Sequence, residues 1–244
     1  MKKSGNTILI TGGATGIGLA LAEAFLKIAN EVIICGRRRE KLQAAKSKFP
    51  NLHIKVCDIT NKRSRLTLVE WATKRFVSLN VLVNNAGIQR SVDFTRGPKD
   101  LAKAEAEVAV NLIAPIQLSA LLIPHLRRQR QSAIVNISSG LAFTPLAAVP
   151  VYCATKAAIH SLSLSMRHQL QNTPIRIFEI APPMVATALA GRRHRPEEAE
   201  YYMSVEDVAQ SVLQAIERDI YEVALGAAAH LYRQRDAMFD EINP

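Results

Sequence analysis

The chain has 244 residues, 48% of them hydrophobic, which is enough for one large α/β domain, and no linker, repeat or low-complexity run divides residues 1–244. The net charge of +10 gathers at Arg37-Arg38-Arg39, Arg127-Arg128-Arg130 and Arg192-Arg193-His194-Arg195. These clusters lack interleaved aromatics and match no nucleic-acid motif, so solvated helix ends and loops explain most of them better, and no nucleic-acid partner is expected. An anionic substrate would also suit that field.

Residues 1–6 are polar and lack the apolar core of a signal peptide. No uninterrupted apolar run approaches the roughly 18 residues of a membrane span. Cys35, Cys57 and Cys153 are odd in number and widely spaced. They read as buried free thiols of a cytoplasmic protein, with neither a disulfide framework nor a metal site.

Strand-like runs alternate with helix-length segments. Strands are predicted over 7–11, 31–35, 53–56, 81–84, 133–137, 175–180 and 221–225. Helices are predicted over about 16–28, 38–49, 62–76, 99–127, 151–171 and 205–217, with an extra one in 231–239. Trp71, the phenylalanines, His125 and His168 read as structural. The alternation implies a single Rossmann-type doubly wound parallel sheet of about seven strands with helices on both faces. In such sheets ligands bind beyond the carboxyl ends of the strands.

The first strand runs into Thr11-Gly12-Gly13-Ala14-Thr15-Gly16-Ile17-Gly18, and a helical pattern follows. Gly12 permits a tight turn, Gly16 lets a pyrophosphate approach the backbone, and Gly18 lets the helix pack on the strand. The N–H groups at the start of that helix would then face an anion. Asn84-Asn85-Ala86-Gly87 follows the fourth strand, Asn111 lies in a helix and Ser139 ends another strand. Tyr152-Cys153-Ala154-Thr155-Lys156 begins thirteen residues after Ser139. In this order the motifs resemble the short-chain dehydrogenase/reductase family. Cys35-Gly36-Arg37 and Pro182-Pro183 further resemble a subgroup named after D-alanyl-lipoteichoic acid operons, the DltE-like proteins.

The second strand ends in Gly36-Arg37-Arg38, where dinucleotide binders that use NAD place a carboxylate for the ribose 2′-hydroxyl. With no acid there, and with a guanidinium fork suited to a 2′-phosphate, NADP(H) is expected over NAD(H); Arg38 could share the task. The resemblance implies further cofactor contacts at Thr15, Ile17, Asp58, Ile59, Asn85 and Ala86, the last two beside the ribose. Asp58 can equally belong to a helix-opening turn, and Asn85 can equally brace the sheet.

Tyr152 and Lys156 are four apart on one helix face, so the ammonium should favour phenolate and lower the tyrosine's pKa. A cationic oxidised nicotinamide would lower it further. The resemblance implies that Ser139 hydrogen-bonds the substrate oxygen and that Tyr152 moves the proton. It also implies that Lys156 holds the nicotinamide ribose and that Asn111 holds a water in the proton relay. An amide at Asn111 satisfied by backbone is the plainer alternative. Val185 and Thr187 match the family's carboxamide contacts, whereas Pro183 replaces a usual glycine and should stiffen the loop root.

Residues 188–203 form the expected substrate lid, and Arg192 to Arg195 could grip an anion or simply be solvated. The substrate expected is a small carbonyl or alcohol. A non-catalytic NADPH sensor on the same fold is the alternative. A sugar-nucleotide epimerase or lyase usually has a longer C-terminal domain. The apolar helices over 101–126 and 152–170 suggest, by the same resemblance, a homodimer or homotetramer, although the C-terminal stretch 227–244 departs from the family's usual ending.

Overall fold

The computed structural model describes residues 1–187, 189 and 202–243. Continuous apolar runs become strands buried on both faces, as a parallel sheet covered by helices requires. β1 (Thr7–Thr11) is buried throughout and pairs in parallel with β2 (Glu31–Gly36) and β4 (Leu79–Asn84). With β3 (His53–Val56), β5 (Ser132–Ile137), β6 (Ile175–Ala181) and β7 (Glu222–Ala224) the seven-stranded order is β3-β2-β1-β4-β5-β6-β7. The order reverses direction between β1 and β4, and a crevice opens beyond the strand ends at such a switch point.

Alternate residues feed two cores. Ile8 and Ile10 of β1 pack in one cluster with Phe25 of α1 (Gly16–Lys27), Leu42 of α2 (Arg39–Lys48) and Val212 of α7 (Val205–Arg218). Leu9, between them, faces the other cluster with Leu68 of α3 (Lys62–Arg75). The same cluster takes Leu122 of α5 (Ala114–Leu126) and Met166 of α6 (Pro150–Gln169). Asn61 caps α3 through Ser64 N at 2.9 Å and Ser204 caps α7 through Asp207 N at 3.0 Å.

The fourth predicted helix differs most. It starts earlier, as a 3-10 segment over Phe94–Asp100, continues as α4 (Leu101–Val108), widens into a π turn over Ala109–Ile113 and resumes as α5. The extra residue in the π turn shifts the helical face by about a quarter turn and carries Asn111. The run Phe94–Leu126 also contains an 18-residue window apolar enough to cross a membrane by length and composition, although Asn111, Gln117, Ser119 and His125 punctuate it. Leu118, Leu122 and Leu126 in that stretch are buried against the sheet. The expectation of core positions for the phenylalanines fails at Phe94 and Phe239, which are 72% and 40% exposed.

Two further features bear on the site. Asn84, Asn136, Glu179 and Glu222 are register partners across β4, β5, β6 and β7, so they form a polar row on one sheet face. The C-terminus folds as α8 (Ala227–Gln234), a 3-10 turn over Arg235–Met238 and α9 (Phe239–Ile242), starting four residues before the predicted extra helix.

Candidate active site

The glycine turn is built by its neighbours. Gly12 and Gly16 have φ of +65° and +56°, which side-chain-bearing residues rarely adopt. A Cβ on Gly18 would lie 2.5 Å from both the Asn85 amide and the Gly12 carbonyl. Gly18 therefore gives room for the turn itself and for Asn85. Gly13, which sequence reasoning did not single out, packs the turn on β2, since a Cβ there would meet Ile34 at 2.4 Å. Thr15 precedes α1 without capping it, so its hydroxyl leaves the first-turn N–H groups to another acceptor. Ile17, in that first turn, packs against the α1-side core.

Asn85 braces the turn: its Nδ2 donates to the Thr11 carbonyl at 2.9 Å. Thr11 Oγ1 accepts from the N–H groups of Asn85 and Ala86, each at 3.1 Å, tying the ends of β1 and β4 together. Arg37 and Arg38 are exposed just past β2. Arg38 Nη2 donates to Thr15 Oγ1 at 3.4 Å, while the Arg37 charge reaches Asp58. Burial works to raise the Asp58 pKa, but the Thr60 N–H and hydroxyl, with Arg37 and Arg65, outweigh it and hold the carboxyl below its ordinary value. Asp58 thus forms a local turn onto Thr60, and the helix cap belongs to Asn61. The Ile59 carbonyl beside it accepts from buried Arg65. These groups fit a dinucleotide carrying an extra phosphate: a turn with room for phosphates, two guanidinium groups at its rim, and no acid at the end of β2.

Ser139, Tyr152 and Lys156 converge beyond the carboxyl end of β5, and all three are buried. Lys156 Nζ donates to the Ile137 carbonyl at 2.8 Å and lies 5.6 Å from the centre of the Tyr152 ring. Burial pushes the Tyr152 phenol up to about 12, against the pull of the neighbouring Ser139 hydroxyl. The expected lowering by Lys156 is not among the influences on the phenol, and desolvation dominates. Burial also pulls Lys156 down to about 8, with Glu179 opposing. Ser138 Oγ donates to the Ile180 carbonyl at 3.4 Å.

Asn111 is satisfied by backbone. Its Oδ1 accepts from Ile88 N at 2.9 Å, and its Nδ2 donates to the Ile88 carbonyl at 2.8 Å and to Thr155 Oγ1 at 3.2 Å. The side chain thereby fixes the strand β4 exit against α6, and a Cβ on intervening Gly87 would stand 3.5 Å from it and 3.8 Å from Lys156 Nζ. Glu107, one turn earlier and fully buried, was not legible as a site residue. Its Oε1 accepts from Arg90 N and its charge helps to push Tyr152 and Cys153 upward.

The segment after β6 returns to the turn: the Thr187 methyl lies 3.2 Å from where a Gly16 Cβ would stand. Val185 bridges to Met203, and the Pro182 carbonyl accepts from Gly140 N at 3.0 Å, so the root of this segment is tied to the Ser139 loop. Of the predicted lid, only Leu189, Tyr202 and Met203 fall among the described residues, and Arg192 to Arg195 lie outside them. The C-terminus braces the loop between Ser139 and Tyr152. Thr144 Oγ1 donates to the Arg235 carbonyl at 2.9 Å, Asn243 Nδ2 donates to the Pro145 carbonyl at 3.0 Å, and Gly140 is packed on Ala228.

Comparisons with known proteins bear on the family and the fold. The family model for short chain dehydrogenases matches residues 6–198. The uncharacterized oxidoreductase DltE of Bacillus subtilis is 49% identical over 225 residues, 91% of this chain and 89% of that protein. A short chain dehydrogenase from Burkholderia cenocepacia, solved in complex with NADP, has a TM-score of 0.82 at 26% identity, covering 96% of this chain and 94% of that one. A 3-ketoacyl-(acyl-carrier-protein) reductase from Brucella melitensis, complexed with NADH, is similar in fold, with a TM-score of 0.84 at 22% identity over 92% of this chain and 98% of that one.

Proposed function

Because the chain belongs to the short chain dehydrogenase family of oxidoreductases, we propose that it moves a hydride between NADP(H) and a small carbonyl or alcohol, with Tyr152 as general acid/base. The observation that carries this reading is the buried convergence of Ser139, Tyr152 and Lys156 at the end of β5, beside a glycine turn that suits a dinucleotide.

The bound reduced nicotinamide would supply the hydride. Ser139 Oγ would donate to the substrate oxygen and hold the carbonyl toward Tyr152. With its pKa at about 12, the Tyr152 phenol keeps its proton at neutral pH and can give it to the oxygen as negative charge develops there. Lys156 as an ammonium would hold the nicotinamide ribose and stabilise the phenolate left behind. Asn111 would keep the β4 exit and α6 in register around Lys156, and its role in a relay would run through that placement. Val185 and Thr187 would face the carboxamide from the segment after β6. Arg37, assisted by Arg38, would select the 2′-phosphate, Asp58 and Ile59 would flank the adenine, and Asn85 and Ala86 would shape the ribose side. The non-catalytic sensor has no observation in its favour, since every member of the reacting set is present.

Consumption of NADPH in the presence of simple aldehydes and ketones tests the reading, and its pH profile adds a sign. Lys156 carries its charge below about 8, so reduction should decline as pH rises through that value. Rates that climb steadily from pH 7 to pH 10 would contradict an ammonium requirement.

The cytoplasm is the compartment we assign, because Cys35, Cys57 and Cys153 are all buried and free. We also assign a homodimer or homotetramer, on the exposed apolar residues Ile113 and Ile116 of the π turn and α5 and Leu164 of α6. Sedimentation velocity at micromolar concentration should show it; monomer alone would refute it.

A further inference from the structure

The polar row under α6 divides into two parts. Asn84 Nδ2 donates to Asn136 Oδ1 at 2.9 Å, and Asn136 Nδ2 donates to Ser163 Oγ at 2.9 Å, so the first part is a neutral network. Glu179, the next member, has no exposure at all. Its Oε2 lies 2.8 Å from His160 Nδ1, and its Oε1 is buried without a hydrogen-bond partner. A lone acid in the apolar run of β6 is costly unless a compensating charge shares its surroundings.

Two neighbours on α6 bear on it: His160 lies within hydrogen-bond distance, and the Lys156 ammonium feels its charge. Tyr152, Lys156 and His160 follow one another at four-residue intervals, which places them along one helix face. Lys156 Nζ is anchored on Ile137, the residue after Glu179's register partner Asn136, so ammonium and carboxylate occupy the same buried layer between β5, β6 and α6. Among the described residues no carboxylate pairs directly with Lys156. Other charges facing Glu179 are already balanced elsewhere. Glu222 of β7 is held by Arg167 at 3.6 Å and by the Tyr232 hydroxyl, and Arg235 lies 5.3 Å from the centre of the Tyr232 ring. The ligand atoms of His160, Glu179 and Glu222 lie within 4.8 Å of one another, but Glu222 is held by Arg167 and Glu179 Oε2 by His160 Nδ1.

We infer that Glu179, held in place by His160, is a positioning residue for the reaction: it is the buried counter-charge that keeps Lys156 an ammonium. The inference rests on the reading of Lys156 as part of the proton-transfer site. His160 reaches the surface only slightly and is packed edge-on against Phe143 at 5.0 Å, so it orients the carboxylate rather than exchanging it with solvent.

The test reads Lys156 directly, without a substrate. NMR of isotope-labelled lysine side chains follows its titration in the full chain, with Lys156→Met used to identify the signal. The parent should titrate near 8. Glu179→Gln should lower that midpoint by about one pH unit or more. His160→Leu, which leaves the carboxylate with no donor to hold it in place, should move it the same way; His160→Gln, which keeps a donor, should leave it near the parent. A structural role alone would lower the melting temperature without moving the midpoint. An unmoved midpoint in folded Glu179→Gln, or in His160→Leu should the first variant not fold, overturns the inference. A midpoint in the parent that moves when EDTA is added would make the cluster a cation site and overturn it as well. NADPH consumption by the parent is scored separately: its absence refutes the proposed reaction and leaves the titration result standing.

Discussion

Tyr152→Phe should lose about a hundred- to ten-thousand-fold in turnover, the usual contribution of a positioned acid/base group, while binding NADPH as the parent does. The substitution removes one oxygen and leaves the ring. That ring packs with Val149 and Cys153 and with partly buried Leu141 and Leu146, so the local fold has little reason to change. The buried hydroxyl sits beside Ser139, and its loss should cost about 1 kcal/mol of stability, too little to unfold a domain of this size. Turnover and melting temperature measured together separate chemistry from folding. A variant that keeps turnover within a few-fold of the parent would remove Tyr152 from the proton transfer.

Arg37→Ala should weaken NADPH about ten- to a hundred-fold, the equivalent of about 1.5–3 kcal/mol for a charge-assisted hydrogen bond, and change NADH little. Arg37 is exposed immediately beyond β2, its charge reaches Asp58, and its neighbour Arg38 touches Thr15 of the glycine turn. The arginine pair thus spans the space between the glycine turn and Asp58. An exposed contact is screened by salt, so the two nucleotides must be compared at one ionic strength, by titration of nicotinamide fluorescence. Equal losses for both would place Arg37 on the shared pyrophosphate instead and remove the basis for NADP(H) preference.

Much of this was legible because a parallel sheet covered on both sides needs continuous apolar strands, and β1, β2 and β5 are such runs. The glycine turn was legible from the strand before it and the helix after it, whereas Ser139, Tyr152 and Lys156 were singled out by the order of motifs that resembles the family. What escaped depends on contacts between distant segments. Whether Asn85 braces the sheet was open until its amide was seen on Thr11, and Asn111 likewise until it was seen on Ile88. Gly13 gave no sign of its contact with Ile34, which belongs to another strand. The π turn was invisible because one extra residue leaves the apolar pattern nearly intact. The Tyr152 pKa was misjudged because a pair spacing reveals the ammonium but not the burial around it. Glu179 did leave a trace, as the only acid in the strand Ile-Arg-Ile-Phe-Glu-Ile-Ala. A charged side chain in a run that must be buried is a signal to look for its partner.

Hydride transfer itself is tested most directly by reducing a carbonyl compound with NADPH deuterated at the transferring position and weighing the alcohol. The account predicts one deuterium on the carbinol carbon in the parent, and almost no labelled alcohol with Tyr152→Phe. NADPH that binds but delivers no deuterium to any aldehyde or ketone would contradict it and leave a nucleotide-binding protein without this chemistry.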